Sequence, residues 1–361
     1  MKGMKRPDLI KTEGNQIKMR ELKIAMLGFG NAGRAFARLL LEKQENIRNE
    51  YSCIVKVAAI ATGSRGSLVN DKGVDLEKAL RDMENLNRFD TESSEFSGMT
   101  AMDIAMQANY DVLMELTPLA IFSGQPAIDH IKAALNRNKH AITANKGPIA
   151  WAYEPLRKLA EEKGVRFFFE TTVMDGTPVF NLIDETLRMC KVTGVKGILN
   201  STTNFILEEL AKGKDYGEAI REGQERGFVE ADPSLDVDGW DAAAKTAALL
   251  NVLMKADITP DQIQRTGIGG ITIGAIRAAE DRGKVIKLLC SGCIENAKVV
   301  GRVAPEEIDK TELLATVTGT SSVVSITTDL MGTVSIVEHD PEIQQTGYGI
   351  FSDLLRLIWT S

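Results

Sequence analysis

The stretch that most restricts how this chain can fold lies near its start. Leu22-Lys-Ile-Ala-Met-Leu27 is an apolar run of strand length, and it feeds directly into Gly28-Phe-Gly30-Asn31-Ala32-Gly33. The helical pattern Arg-Ala-Phe-Ala-Arg-Leu-Leu-Leu follows. Gly-x-Gly-x-x-Gly says little alone, but between a strand and a helix it marks a dinucleotide-binding turn. There Gly28 allows the tight turn, Gly30 lets a pyrophosphate approach the backbone, and Gly33 lets helix and strand pack closely. The opening of the helix, at Asn31 and Ala32, then faces the phosphates. The competing reading is a glycine-rich structural turn.

A second strand at 53–60 runs into Ala-Thr-Gly-Ser64-Arg65-Gly. A site specific for NAD usually ends this strand with Asp or Glu on the ribose hydroxyls. None stands here, and Arg65 suits a 2′-phosphate, so NADP is expected to serve at least as well as NAD. A solvated loop arginine is the alternative. From 62 to 109 the chain is polar, with helical pieces such as 75–85. Then come a strand at 110–117, a helix at 126–136, a strand at 140–144, the loop Asn145-Lys146-Gly147-Pro148, a helix at 153–163 and a strand at 165–170. Strands alternating with helices predict a parallel sheet covered on both faces, a Rossmann-type α/β domain. Ligands sit at the carboxyl ends of such strands, which places Thr117 and Asn145-Lys146 in the cofactor crevice.

The second half groups its elements differently. Helices are expected at 179–189, 205–212, 215–226 and 274–282, the third ending at Gly227, with Ser201-Thr202-Thr203-Asn204 as a loop. Strands are expected at 192–200, 285–290, 298–303, 313–318 and 331–337. That pattern predicts an α+β domain on an open sheet. A short last helix at 351–358 should dock back on the first domain. The division expected is a flexible extension at 1–18, a dinucleotide-binding domain at 19–148 with 340–361 returning to it, and a catalytic and dimerisation domain at 149–339.

Gly227–Lys245 places Glu230, Asp232, Asp236, Asp238 and Asp241 ahead of one lysine. It reads as a loop feeding a helix capped by Asp236 or Asp238. Asp241 and Lys245 then share a face at i and i+4. For an isolated pair, a surface ion pair is the better reading. Here Lys245 sits among Ala242, Ala243, Ala244, Ala247 and Ala248. Lysine is rarely buried without a partner, so a working lysine is the stronger hypothesis.

Composition narrows the partners. At 361 residues the chain is long enough for two domains, and a net charge of -7 argues against nucleic-acid and basic membrane-surface roles. No apolar run approaches the roughly 20 residues of a membrane span. The first eighteen residues lack the apolar core of a secretory signal. Cys290-Ser-Gly-Cys293 has no matching second pair, which favours two ordinary thiols in a reducing, cytoplasmic setting.

Several motifs then line up in order: Gly28–Gly33, Glu115-Leu-Thr-Pro118, Thr143-Ala-Asn-Lys-Gly-Pro148, Gly197–Leu207 and Gly227–Lys245. Together they resemble homoserine dehydrogenase. The last is the most specific, as Asp-Pro-x-x-Asp-Val-x-Gly-x-Asp-x-x-x-Lys is similar to that family's signature. The resemblance implies reversible oxidation of L-homoserine to L-aspartate 4-semialdehyde with NAD or NADP, by a homodimer, on the route to threonine and methionine. It implies Lys245 as acid/base, Glu230 and Asp241 as substrate ligands, and Lys146, Thr117 and Gly227 at the cofactor. It also implies a monovalent cation such as sodium, held by Glu170 and by backbone oxygens of Val173, Asp175 and Thr177. Two departures stand out. Ser201 replaces an expected glycine, and Gln345-Thr-Gly-Tyr-Gly349 replaces the usual glycine-alanine-rich cofactor turn.

The chemistry needs a base for the hydroxyl proton, and a lysine serves if burial or a second cation, here Lys146, lowers its pKa. Asp241 would pull the other way, so it orients Lys245 or binds substrate. Glu230, helped by Asp236, suits the substrate ammonium, and Thr202 with nearby backbone N–H groups suits its carboxylate. Lys146 and Lys245 should approach from opposite sides of the crevice. A related NAD(P) oxidoreductase on another amino or hydroxy acid and a non-catalytic nucleotide sensor are the alternatives.

Overall fold

The computed structural model describes residues 19–360, so the expected extension at 1–18 lies outside them. Among the described residues two sheets form. The first has seven strands, in spatial order Phe96–Ser97, Ser67–Val69, Cys53–Ala61, Arg20–Leu27, Val112–Glu115, His140–Thr143 and Phe167–Phe168. The last five are mutually parallel. Strand order reverses beside Arg20–Leu27, which opens a crevice outside the ends of Leu27 and Glu115. The sheet reaches Phe168, past the domain boundary expected at 148. Its strands are nearly continuous apolar runs because both faces are covered; Ile24, Met26, Val112 and Met114 are fully buried.

Gly28 turns the chain out of the first strand at φ 103°, and a Cβ there would lie 2.2 Å from the Leu116 carbonyl oxygen. Both the left-handed backbone and the close approach require glycine. Gly28→Ala is therefore expected to cost about 3 kcal/mol of stability. Denaturant unfolding of the variant measures this, and a loss below about 1 kcal/mol would show that the turn relaxes freely.

The second sheet has six strands, in order Gly332–Glu338, Ser322–Thr328, Val192–Ile198, Lys284–Glu295, Lys298–Asp309 and Gln264–Arg265. All its pairings are antiparallel except the last. Ser322–Thr328 was not expected: Ser-Val-Val-Ser-Ile-Thr-Thr carries only three apolar side chains, and β-branching supplies its strand character. The strand expected at 313–318 is instead a 3-10 turn, Leu313–Thr316. Its Leu314 and the following Val317, three apart, tuck beneath the sheet against Leu289 and Ile308.

Helix Trp240–Met254 is seated between this sheet and helix Lys146–Lys163. Its alanines let it approach closely: Ala242, Ala243, Ala247 and Ala248 are wholly buried. Leu250 on the same helix packs so near the sheet that a Cβ on Gly292 would come within 2.2 Å of it. Asn251 fastens the helix to its neighbour by donating to the Ile149 carbonyl at 3.1 Å.

The last helix is longer than expected, Ile343–Thr360, so Gln345–Gly349 lies inside it and is not a turn. It packs along helix Asn31–Tyr51, with Ile350, Leu354 and Leu357 in the first domain's core. A Cβ on Gly347 would sit 2.8 Å from the Ala35 methyl, so the glycine serves helix packing. No described helix is long and apolar enough to cross a membrane.

Candidate active site

Asn145–Pro148 is the start of a helix rather than a loop. Asn145 is the N-cap of Lys146–Lys163, its Oδ1 accepting from the Gly147 N–H at 2.9 Å. The same side chain donates to the Thr117 carbonyl at 3.1 Å, tying two strand ends together at the crevice. Lys146 is thus the first residue of a capped helix that starts where the strand His140–Thr143 ends.

On the other side, neither Asp236 nor Asp238 caps the helix that carries Lys245. Gly239, at φ 78°, holds that position. Ser234–Val237 forms a separate short turn of helix, and the Asp236 carboxylate faces Asn200. Ser201–Asn204, expected as a loop, is the first turn of helix Ser201–Ala211, capped by Asn200 through the Thr203 N–H.

Asp241 joins these parts. One of its oxygens lies 2.9 Å from Lys146 Nζ and the other 3.4 Å from Lys245 Nζ. Asn200 Nδ2 donates both to Asp241 at 3.0 Å and to Asp236 at 2.6 Å. Lys245 also donates to the Leu199 carbonyl at 2.7 Å. The Lys146, Asp241 and Lys245 side chains are 19%, 15% and 20% exposed, so Lys245 does not point into bulk solvent. The two lysines meet across the junction of the two sheets, each on its own oxygen of one carboxylate.

The electrostatics follow from that arrangement. Burial pushes the Asp241 pKa up, but the Lys146 and Lys245 charges outweigh it and hold the group well below the usual aspartate range. Burial pushes Lys245 down, yet Asp241, with Asp175 and Asp236 behind it, carries it above the ordinary lysine value. The expectation of a lowered lysine pKa is therefore reversed. Lys146 does not lie against Lys245 as a second cation, because Asp241 stands between them as the shared counter-ion. Asp236 is raised, chiefly by burial and then by the Asp241 charge, against the pull of Asn200 and Thr202.

The nucleotide crevice shows unused donors. Gly30 caps helix Asn31–Tyr51 without any side-chain hydrogen bond, leaving the first-turn N–H groups of Asn31, Ala32 and Gly33 free for a phosphate. A Cβ on Gly30 would meet nothing within 4 Å, whereas one on Gly33 would meet the Gly28 carbonyl at 2.8 Å. The residues fit a dinucleotide. Arg65 lies in the turn after Cys53–Ala61, its N–H donating to Thr62 Oγ1 at 2.9 Å. Thr117 is held through its N–H by Glu115 at 2.8 Å, and buried Glu115 pairs with His130 at 2.7 Å.

Of the other expected residues, Glu230 and Gly227 lie on the exposed surface and Thr202 lies at the centre. Glu230 is exposed, and its backbone carbonyl accepts from Gln224. Gly227, at φ 83°, closes helix Tyr216–Glu225 on an exposed turn. Thr202 is buried beside Asp236. The carboxylate of the expected cation ligand Glu170 is engaged elsewhere. Glu170 turns its carboxylate to the start of helix Phe180–Thr186 and accepts from the N–H groups of Val179, Phe180 and Asn181 at 2.6, 2.8 and 2.7 Å. The Thr177 carbonyl accepts from the Val179 N–H at 2.9 Å. Three backbone donors thus occupy the carboxylate a cation would need, and no step below uses one. Asn145, placed at the crevice by the sequence, and Asn200, whose side chain was not singled out, organise the site. Their place directly before a helix at a strand end was the available signal.

A dinucleotide crevice beside a half-buried Lys-Asp-Lys centre defines an NAD(P)-dependent oxidoreductase. Comparison with known proteins gives the particular kind. The family pattern described as "Homoserine dehydrogenase" matches residues 178–355, and that described as "Homoserine dehydrogenase, NAD binding domain" matches residues 28–170. The chain is 34% identical to homoserine dehydrogenase of Methanocaldococcus jannaschii, over 93% of its own length and 98% of that protein's. It is 31% identical to NAD(+)-dependent homoserine dehydrogenase of Pseudomonas canavaninivorans, covering 94% and 97%. A hyperthermophilic archaeal homoserine dehydrogenase solved in complex with NADPH superposes with a TM-score of 0.80 at 26% identity, covering 94% and 98%. This chain belongs to the homoserine dehydrogenase family.

Proposed function

We propose that Lys245 carries the hydroxyl proton of L-homoserine while the alcohol carbon gives up hydride, with Asp241 and Lys146 fixing its position. The bound NAD(P) supplies the hydride acceptor. The observation that supports this reading is the grip of one Asp241 carboxylate on both lysines, at 2.9 and 3.4 Å. In the aldehyde-reducing direction Lys245, held as an ammonium, donates its proton to the forming alkoxide. In the oxidising direction it must first lose that proton, and the positive charge of the oxidised nicotinamide lowers the cost. Asp241 keeps Nζ aimed and supplies its counter-charge. Asp236, Asn200 and Thr202 form the polar wall available to the amino-acid end of the substrate. The direct test is NADP-dependent oxidation of L-homoserine by the purified chain; no turnover with either cofactor would sink the proposal.

Arg65 is assigned to the 2′-phosphate. Arg65→Ala is expected to raise KM for NADP about tenfold and that for NAD less than threefold, the loss of one charge-assisted phosphate contact. Equal changes for both cofactors would remove Arg65 from that role. By the family likeness the working form is a cytoplasmic homodimer; sedimentation of the purified protein tests the dimer, and a monomer would overturn it.

A further inference from the structure

A buried acidic side chain away from Lys245 has no part in the reaction as drawn. Strand Val112–Glu115 is buried along its whole length, and its last residue, Glu115, is 0% exposed. An apolar side chain would pack there without the cost of burying a polar group. The backbone needs no help from it: the Glu115 carbonyl accepts from Thr143 Oγ1 at 2.9 Å, and the strand is paired on both sides. The carboxyl group serves two neighbours instead. Its Oε1 accepts from the Thr117 N–H at 2.8 Å and from the Thr117 hydroxyl. Its Oε2 lies 2.7 Å from Nδ1 of His130, which is 3% exposed on helix Ala127–Asn136 and fixes the plane of the group.

Thr117 has its hydrogen bonds almost fully assigned by this arrangement. Its N–H and O–H both donate to Glu115, and its carbonyl accepts from Asn145 Nδ2 at 3.1 Å. A threonine hydroxyl has one proton and two lone pairs. With the proton turned inward to Glu115, the half-buried side chain offers the crevice lone pairs and no donor. Position narrows what it can meet. On one side stands the Gly28 turn, where an added Cβ would lie 2.9 Å from the Thr117 nitrogen. On the other stands Asn145, the cap of the helix that begins at Lys146. The pyrophosphate expected at Gly28–Gly33 carries acceptors alone and cannot pair with a lone pair. Between the pyrophosphate and the ring, a nicotinamide dinucleotide carries a ribose whose hydroxyls are donors.

We propose that Glu115 is a positioning residue for the cofactor: by holding the Thr117 proton it makes Thr117 Oγ1 an acceptor for a hydroxyl of the nicotinamide ribose. His130 keeps the carboxyl group from turning away. The nicotinamide half is then held beside Lys146 by a hydrogen bond whose direction is set inside the first sheet. The proposal rests on the nucleotide crevice and not on the Lys245 reading, and its readout is binding rather than turnover.

The test is fluorescence titration of the full chain with NADH, alongside its displacement by ADP, which keeps both phosphates and lacks the nicotinamide riboside. NADPH and 2′-phospho-ADP take their place if they bind more tightly. Thr117→Val removes the hydroxyl at nearly constant shape; it should weaken NADH about tenfold, the worth of one hydrogen bond, and ADP less than about twofold. Glu115→Met should weaken NADH about fivefold, whereas Glu115→Gln, which keeps an oxygen for Thr117, should stay within about threefold. In the Thr117→Val background, Glu115→Met should change NADH affinity by less than about twofold, because it acts through the hydroxyl. A Glu115 that merely holds the fold would give additive losses and weaken ADP in parallel. Either result overturns the proposal, as does a larger loss in Glu115→Gln. Thr117→Val leaves the buried pair in place and stays readable even where Glu115→Met does not fold; unchanged NADH affinity there overturns the proposal by itself. Binding of ADP to the unmodified chain is read first, so failure of the nucleotide crevice is distinguishable from failure of the Glu115 assignment.

Discussion

Lys245→Ala is expected to lower kcat for homoserine oxidation by about a thousandfold, while KM for the nicotinamide cofactor stays within threefold. The size follows from losing the one group placed to take the hydroxyl proton. Lys245 Nζ is aimed by two fixed acceptors, the Leu199 carbonyl at 2.7 Å and Asp241 at 3.4 Å. Neither belongs to the nucleotide crevice, so cofactor binding is independent of this side chain. The helix itself should tolerate the change, since alanine is its best former and already fills its buried face. Steady-state kinetics in both directions, with a melting curve as the control for folding, decide the matter. Turnover within tenfold of the parent would remove Lys245 from the chemistry, whatever its geometry.

The second large effect concerns Asp241→Asn, which keeps the shape of the group and deletes its charge. Lys146 and Lys245 would then face each other without their shared counter-ion. We expect kcat/KM to fall about a hundredfold, because Lys245 loses its aim and the site its charge balance. Stability should drop by about 1–2 kcal/mol, a modest figure for a pair that is partly open to solvent.

The pH behaviour gives a sharper signature. In the parent, burial lowers the Lys245 pKa, and Asp241 together with Asp175 and Asp236 more than offsets it. Without Asp241 the largest charge opposing burial is gone, so the amine becomes free at lower pH. The alkaline rise of the oxidation rate should therefore shift toward neutrality even as its plateau falls. An unmoved profile, or a shift to higher pH, would contradict the assignment.

Linkage provides a second check. Asp241 in the folded protein titrates below its ordinary value of 3.8. It therefore contributes stability at pH values above 3.8, and that stability is lost as the pH falls through the depressed folded value. Asp241→Asn should flatten the dependence of stability on pH in that acid range.

Much of the fold was legible because its signals are local. Gly28 and Gly33 are dictated by a backbone turn and a close approach that few other residues permit. The strands Arg20–Leu27 and Cys53–Ala61 are apolar runs with matching length and punctuation. Errors fell where local pattern and tertiary use diverge. Leu314 and Val317 look like strand residues until a sheet above them makes a 3-10 turn the better burial. Gln345–Gly349 resembles a turn because it holds two glycines, but those glycines admit the helices and loops packed against them. Gly347 meets Ala35, and Gly349 meets Thr171. Asp236 and Asp238 look like caps, yet Gly239 takes that place because Asp236 has a partner in Asn200, 36 residues earlier in the chain.

The sequence by itself determined the two-part α/β and α+β plan, the nucleotide turn, the Asp241–Lys245 spacing on one helix face and, through its motifs, the family. Each of these rests on residues close together in the chain, where stereochemistry and periodicity act directly. Only the tertiary structure decided that Lys146, 95 positions before Asp241, shares its carboxylate, that Glu230 stands outside the centre, and that Glu170 serves a helix start. It also brought Asp175 into the field of Lys245. Such pairings depend on which elements the packing of two sheets and their helices brings face to face. Because charge interactions and burial act through space, the direction of the Lys245 pKa is not encoded in any single stretch of chain.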